Sequence, residues 1–569
     1  MTLLGAATPA IARKGATQTG PAPSPKTPSI SPAGRAAKPL NRGSIMPTRR
    51  QFLQTLAAAP LLTAAPARKP NFLVLLADDM GFSDARCYGG DIDTPNLDRL
   101  ARGGLRFTQA YSTARCGPSR SCLLTGQYAQ QTASDIMTPG NIPDYTRYLP
   151  EMLTPLGYRS YHTGKWHMKH VTGEKGVGFH HSYTMLDELR FFTQNRHELD
   201  GVALPKPEPG YYSTTAIADY GLRFLREHAR DHAADPFFLY TAFHAPHFPL
   251  QAPQAEIDKY TDRFAEGWDT ARERKWQRMT KMGLVNCPLA PLEPNMWTDW
   301  NTPDAELLAK VGPGEISKAV PWSTLTPEQK KLQRAKMAIH AAMVTVMDTE
   351  IGKLLKQVEA MGQLDNTVVI FLSDNGASSE QLIRGDGHDS TAPLGSAATH
   401  LGLGPGWAGN SNAPFRLHKS WVNEGGIASP CIVNWPAGIA DKSKLRHGPC
   451  HFIDFAPTLV DLAGGKPEGI SLLPAFKKDA AIKRDFLYFN HNNNRAIRAG
   501  DWKLNAIGKT GAWELYDLAK DRSEQHNLAA ANPKLAADLA AKWKQADDNF
   551  TAVREAAPPS TKTRMRSGS

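Results

Sequence analysis

Residues 114–128 read ARCGPSRSCLLTGQY, and the neighbours of Cys116 are ones that change what a thiol can do. Pro118 suits the first position of a helix and Gly126 its stop. Cys116 then lies beside the positive helix end, where anions are stabilised and thiols are acidified. Taken alone, the stretch fits a buried structural cysteine at least as well. Two acid-bearing stretches add to it: LADD ends in Asp78 and Asp79, and FLSDN ends in Asp374 and Asn375. Three carboxylates and an amide oxygen are hard donors, suited to Ca²⁺ or Mg²⁺ and not to zinc. Either pair by itself is an ordinary cap or turn. YRSYHTGKWH carries Lys165 and His167 at alternate positions of an expected strand, hence on one face. His247 in HAPHFP and Lys419 in LHKSWVNEGG lie in loops beside Pro or Gly, and only the ensemble lifts them above solvated loop residues.

The elements that must hold these residues alternate. NFLVLLADD (71–79), PFFLYTAF (236–243) and TVVIFLSD (367–374) are short apolar runs, expected as buried strands. Helices are expected over TPNLDRLARGG, from Pro118, near 145–156, and from Pro327 to Met361. Strands alternating with helices predict an α/β domain with a large, mostly parallel sheet flanked by helices. Chemistry in such a sheet collects at the strands' carboxyl ends, where both acidic pairs fall. Past Pro474 the pattern turns antiparallel, in NRAIRAGDWKLNAI and GAWELYDL, with a last helix near 533–548. The expected division is a leader over 1–67, a catalytic domain over 68–473, a smaller C-terminal α+β unit over 474–552 and a disordered basic tail over 553–569. An insertion at 264–325 carries Trp268, Trp276, Trp297, Trp300 and Trp322. Lying over the active face, these either stack on a ligand or build a cap's own core.

Charge is uneven along the 569 residues. Of the net +11, the leader carries eight charges and the tail from Ser560 three, leaving the body neutral. A global basic footprint for nucleic acid is therefore absent. TRRQFLQTLAAAPLLTAAPA sets paired arginines, Arg49 and Arg50, before a short apolar run and small residues. That run is too short for a stable membrane span, and a disordered basic tail is the alternative reading. Met46 is a candidate start. The six cysteines show no close CxxC pair, which argues against a cysteine zinc site and leaves any disulfide pairing open.

CGPSR resembles the signature C-x-P-S-R of type I sulfatases, continued by TGQY. LADDMGFSD, TPNLDRLA, GYRSYHTGKWH, FFLYTAFHAPHFPL, FLSDNGA, NEGGIASP and NRAIRAGDWKL resemble further family segments in the family's order. The resemblance implies the alkaline phosphatase superfamily fold with a smaller C-terminal sheet domain. It implies that a maturation enzyme oxidises Cys116 to formylglycine, whose hydrate attacks sulfur. By the same resemblance one Ca²⁺ would be held by Asp78, Asp79, Asp374, Asn375 and the Cys116-derived group, with Arg120 fixing the shell. Lys165, His247 and Lys419 would bind sulfate oxygens and serve the leaving group, and His167 would take the proton that triggers release. The leader resembles a twin-arginine export signal, implying the export machinery as partner and a periplasmic or secreted enzyme. The substrate expected there is a sulfated carbohydrate ahead of a simple aryl sulfate. Alternatives are a phosphonate monoester or phosphodiester hydrolase of the same superfamily, and an unmodified binding protein. Ala428, where many relatives have Arg, and the Asn run at 490–494 depart from the family pattern and bear on substrate preference.

Overall fold

NFLVLLA forms strand β1 (Asn71–Ala77), buried at every position. The computed structural model describes residues 68–135, 140–174 and 176–563, so the leader and its paired arginines lie outside it. The large sheet continues with β2 (Leu105–Tyr111), β3 (Arg159–Lys165), β4 (His181–Met185), β5 (His197–Leu199) and β6 (Val202–Ala203). It is completed by β7 (Phe237–Ala242), β8 (Thr367–Ser373), β9 (Ala428–Asn434), β10 (Lys444–Arg446) and β11 (Cys450–His451). The order is β10-β2-β9-β8-β1-β7-β3-β4-β5-β6, with β11 paired to β2. Strands β8, β1, β7, β3 and β4 are mutually parallel neighbours, so their carboxyl ends share one edge.

Side chains alternate across this sheet and feed two cores. Leu73, Leu75, Val369 and Phe371 pack with the long Pro327–Ala360 helix and the Ser213–Asp231 helix. Phe72, Val74, Leu76, Ile370 and Leu372 face the other way, onto Cys122, Leu123 and Leu124 of the Cys116–Thr125 helix. Burial on both faces is why these strands read as unbroken apolar runs. Thr326 caps the long helix, its hydroxyl accepting from Gln329 N at 3.2 Å while Gln329 Oε1 accepts from Thr326 N at 2.9 Å.

The C-terminal sheet is β12 (Leu487–His491), β13 (Asn494–Ala499), β14 (Trp502–Ala506) and β15 (Glu514–Asp517), antiparallel in that order. Its apolar face takes the Pro533–Ala556 helix through Tyr488, Ile497, Leu504, Leu539 and Trp543. Asn492 and Asn493, with φ of 50° and 64°, are the two-residue loop between β12 and β13. Positive φ at both central residues is the hairpin geometry that favours Asn, so this part of the Asn run is turn chemistry.

Several expectations change. The helix begins at Cys116 itself and Pro118 is its third residue. The helix expected near 145–156 shrinks to Leu149–Leu153 plus a 3₁₀ turn at Thr154–Leu156. Strand β3 stops at Lys165, so His167, at φ 55°, is not on it. The tail expected to be disordered from 553 is ordered through 563. The last helix runs to Ala556, Ser560 N donates to Ile142 O at 2.8 Å, and Val171 N donates to Thr563 O at 3.0 Å. Backbone pairing to 142–146 and 171 outweighs the basic composition that suggested disorder. All six cysteines are free and buried. Among the described residues no helix is long and apolar enough to cross a membrane.

Candidate active site

Four neighbouring strands deliver the candidate residues to one edge. β1 runs into Asp78 and Asp79, β8 into Asp374 and Asn375, β3 ends on Lys165, and β7 leads to His247. β3 closes against β7 at Gly164, whose φ is 110° and whose added Cβ would lie 2.0 Å from Ala242 O. No other residue fits there.

Cys116 is 1% exposed, and its Sγ donates to Asp78 Oδ1 at 3.3 Å. Arg120, one turn along the same helix, is fully buried. It donates to Asp374 Oδ2 from Nε at 3.0 Å and Nη2 at 2.7 Å, and to Lys165 O from Nη1 at 2.9 Å. Lys165 Nζ lies 2.6 Å from Asp78 Oδ2 and 3.0 Å from Glu188 Oε2. Lys419 Nζ donates to Asp79 Oδ2 at 2.8 Å and lies 3.1 Å from Glu380 Oε2. His247 Nε2 is 3.7 Å from Asp79 Oδ2. Asn375 Nδ2 donates to Asp79 Oδ1 at 2.6 Å, and Asp79 N donates to Asp374 Oδ1 at 3.3 Å. His167 reaches the group through Glu188, Nδ1 to Oε1 at 3.4 Å. Every sequence-predicted site residue is in this constellation.

The electrostatics are those of a crowded anionic pocket. Burial and the carboxylates of Asp374 and Asp78 push the Cys116 thiol well above its ordinary range, so the acidified thiol expected at a helix end is not found. Its own helix is short, and two acids lie closer. Burial also raises Asp79 and Asp374, with Asp78 adding repulsion to each. Asp78 moves the other way: burial opposes its ionisation, but Lys165 and Arg120 hold it down. Burial, Lys419 and Lys165 lower His247 to about 3, so its imidazole is neutral.

Ligand atoms of Asp78, Asp79, Cys116 and His247 lie within 4.8 Å of one another, a group able to hold a metal ion. Asp374 and Asn375 adjoin it through Asp79. Asn375 Oδ1 is buried without a hydrogen-bond partner, a lone acceptor in a cluster of carboxylates. An oxygen-seeking cation fits this donor set.

Above Cys116 lies a cavity of about 180 Å³, walled by Arg115, His167, Glu188, His247, Glu380, Arg384 and Lys419 among others. A larger one of about 340 Å³ sits in the insertion, lined by Leu307, Leu308 and Leu325, away from this constellation. The insertion's tryptophans divide. Trp268 and Trp322 join Trp407 in a buried aromatic cluster, with ring centroids 4.7 to 5.8 Å apart. Trp276 donates to Cys287 O at 2.8 Å. Trp297 is 48% exposed. Trp300 alone of the five reaches the site's charged side chains. Its Nε1 donates to Glu380 Oε1 at 2.6 Å, and Arg115 stands 5.3 Å above its ring. Arg115 itself donates to Glu380 Oε1 at 2.9 Å and Ser420 Oγ at 3.0 Å.

Sequence reasoning missed Glu188, Glu380 and Arg115. Of these, only Arg115 carried a signal, its place beside Cys116. Ala428 pairs with Tyr111 within the sheet and is fully buried.

The sulfatase family model matches residues 70–465, and the C-terminal model of N-sulphoglucosamine sulphohydrolase matches 415–548. The chain belongs to the sulfatase family. It is 31% identical over 549 residues to an uncharacterized sulfatase of Schizosaccharomyces pombe, covering 84% of this chain and 93% of that one. An arylsulfatase of Klebsiella aerogenes is 31% identical over 443 residues, covering 71% of this chain and 89% of that one. Among solved structures, Ps i-CgsB in complex with k-i-k-neocarrahexaose superposes with a TM-score of 0.60 at 23% identity. That match covers 84% of this chain and 93% of the other. This sulfatase is thus a sulfuric ester hydrolase, and the cavity above Cys116 is its candidate active site.

Proposed function

We propose that this sulfatase hydrolyses sulfate esters of a carbohydrate, using a formylglycine hydrate made from Cys116 and one Ca²⁺. The observation that carries it is the convergence of Lys165, Lys419 and His247 around the Cys116–Asp78 contact, at the floor of the cavity. Lys165 and Lys419 are cations held by buried carboxylates, preset to receive the oxygens of a sulfate dianion. His247 is neutral, its Nε2 end faces Asp79, and the ring lines the cavity, where it would bind a sulfate or leaving-group oxygen. Arg120 locks Asp374 and the carbonyl of Lys165, so helix and strand ends move as one unit. His167 is open to the cavity, 42% exposed, and would accept a proton at a ring nitrogen. Once oxidised by a maturation enzyme and hydrated, the side chain at 116 would supply one hydroxyl to displace the alcohol from sulfur and another whose deprotonation would expel sulfate and restore the aldehyde. Asp78, Asp79, Asp374 and Asn375 would hold the Ca²⁺, which supplies Lewis-acid polarisation of the sulfate.

A cavity of about 180 Å³ takes the sulfate and little more than one ring, so recognition is local to a few sugar units. The oligosaccharide bound by the solved structure of the same fold supports a carbohydrate ester. Delivery to the periplasm is supported by Arg49-Arg50 and the apolar run behind them.

The test is production in a bacterium that carries the maturation enzyme. A peptide mass spectrum spanning residue 116 should show aldehyde in place of thiol. Matched sulfate and phosphate esters should release sulfate preferentially, and Cys116→Ala should lose turnover while keeping its melting temperature. Replacing Arg49 and Arg50 with lysine should retain the precursor in the cytoplasm. An unmodified thiol with full sulfate release would overturn the mechanism.

A further inference from the structure

Glu188 is a carboxylate on the wall of a cavity built to receive an anion. It is 27% exposed there and faces the same space as Cys116 and Lys419. Repulsion between it and an incoming sulfate weakens binding, so its presence asks for a compensating role. Its two oxygens are both engaged, Oε2 at 3.0 Å from Lys165 Nζ and Oε1 at 3.4 Å from His167 Nδ1.

The loop that carries it is fixed on both sides. Asp187 accepts from Leu189 N at 3.0 Å, Asn195 N at 3.1 Å and Arg190 Nη1 at 2.8 Å. Phe191 N donates to Gln251 Oε1 at 3.1 Å, and the Phe191 ring stacks on His244 with centroids 4.4 Å apart. Glu188 is thus presented from a rigid turn. On the far side of the imidazole lies Gly117, where an added Cβ would stand 3.8 Å from His167 Cδ2 and 3.0 Å from His167 O. The Cγ–Cδ2 edge of the ring thus faces the residue next to Cys116, and Nε2 is the ring nitrogen not turned to Glu188.

We propose that Glu188 is a positioning residue that fixes the tautomer of His167. A carboxylate only accepts, so a proton on Nδ1 is favoured and Nε2 keeps its lone pair as the free base of the ring. Free neutral imidazole prefers the opposite tautomer, with the proton on Nε2 and no base on that edge. Glu188 reverses the preference, as an orienting carboxylate does for a catalytic histidine elsewhere. His167 then takes one proton at Nε2 from a hydroxyl on residue 116, and no electron enters or leaves. Lys165 neutralises the charge that Glu188 would otherwise present to the sulfate.

Only the kinetic arm of the test rests on the function proposed above. Histidine-¹⁵N spectra of the full chain, with the His167 signal assigned by difference against His167→Gln, report the tautomer directly. Wild type should show Nδ1 protonated and Nε2 bare. Glu188→Ala should shift the signal toward Nε2 protonation, while Glu188→Gln, whose amide oxygen still accepts, should keep it. On p-nitrophenyl sulfate, Glu188→Ala should lower kcat by roughly 10- to 100-fold, the usual loss for an orienting partner. KM should change by less than the kcat loss, and Glu188→Gln should recover much of kcat. An unchanged tautomer in Glu188→Ala overturns the proposal, as does a raised KM at constant kcat, which would make Glu188 a substrate contact. Failure of wild type to cleave any sulfate ester while the tautomer shift persists would refute the function and leave the positioning role standing.

Discussion

Asp78, Asp79 and Asp374 meet in one buried cluster whose cations are Arg120, Lys165 and Lys419. Burial raises two of the three acids, and Asn375 Oδ1 has no donor. A bound divalent ion removes both costs, and a ligand that binds only the native state adds stability by mass action. At a hundred-fold excess over its Kd that increment is about 2.7 kcal/mol. Chelator treatment should therefore lower the melting temperature and Ca²⁺ should restore it, while Asp374→Ala should melt at the same temperature with and without Ca²⁺. Superimposable melts of wild type in chelator and in Ca²⁺ would rule the site out. These ligands were legible because each ends an apolar run, so type and position spoke together. Glu188 and Glu380 were not: each sits in a loop without periodicity, and each is given meaning by partners far away in sequence. Glu380 matters through Lys419, Arg115 and Trp300, and no local pattern links those four.

The same division holds for the elements. Strands β1, β7 and β8 and the long Pro327–Ala360 helix match their expected spans within two residues at either end, because burial on two faces, or a capping box, writes itself into sequence. Element ends were harder. His167 leaves the strand because β3 ends at Lys165, and the order of 557–563 comes from pairing with a distant loop. The insertion shows how one residue type serves two purposes. Trp268 is fully buried against Trp322 and Trp407, so Trp268→Ala should open a cavity and cost about 3–5 kcal/mol. Trp300→Ala instead releases Glu380 and Arg115 beside the catalytic pocket, so kcat/KM should fall with little change in denaturation midpoint. Measuring both quantities on both variants separates the roles; equal stability losses would assign Trp300 to the core as well.

The whole molecule is tied together by a buried charge network between its two sheets. Lys503 of β14 lies 3.0 Å from Glu424 Oε1 and 2.9 Å from Glu524 Oε1. Arg522 Nε and Tyr111 OH donate to Glu424 Oε2 at 2.8 and 2.9 Å. Glu424 stands five residues after Lys419, so this network also braces the loop that presents that cation to the cavity. Burial opposes ionisation of both glutamates, but Lys503 and Arg522 hold Glu424 down, whereas Glu524 is raised by burial and by Glu424. Removing one partner of such a group costs about 3–5 kcal/mol. Lys503→Met removes the cation shared by the two glutamates and so raises the folded-state pKa of each, Glu524 further above its unfolded value. Its stability deficit should then be largest near pH 8 and shrink as pH falls through 5 and 4, where the orphaned carboxylates take up protons. Urea titrations across that range would show it, and a deficit that widened in acid would contradict the assignment. The depth of Cys116 has a consequence in time. At 1% exposure, with Arg120 locked beneath it, the CGPSR stretch cannot be offered in extended form to another enzyme's cleft once the chain has folded. An enzyme that oxidised that thiol, as proposed above, would therefore have to act on a nascent or unfolded chain. The contacts of 557–563 would give it an interval, since pairing with 142–144 and 171 waits until those residues have been made. Between translation of residue 116 and of residue 563, at about 5–20 residues per second, pass roughly 20 to 90 seconds. On the proposed mechanism, catalytic competence would be decided by a race between oxidation and folding, run once per molecule and without a second chance.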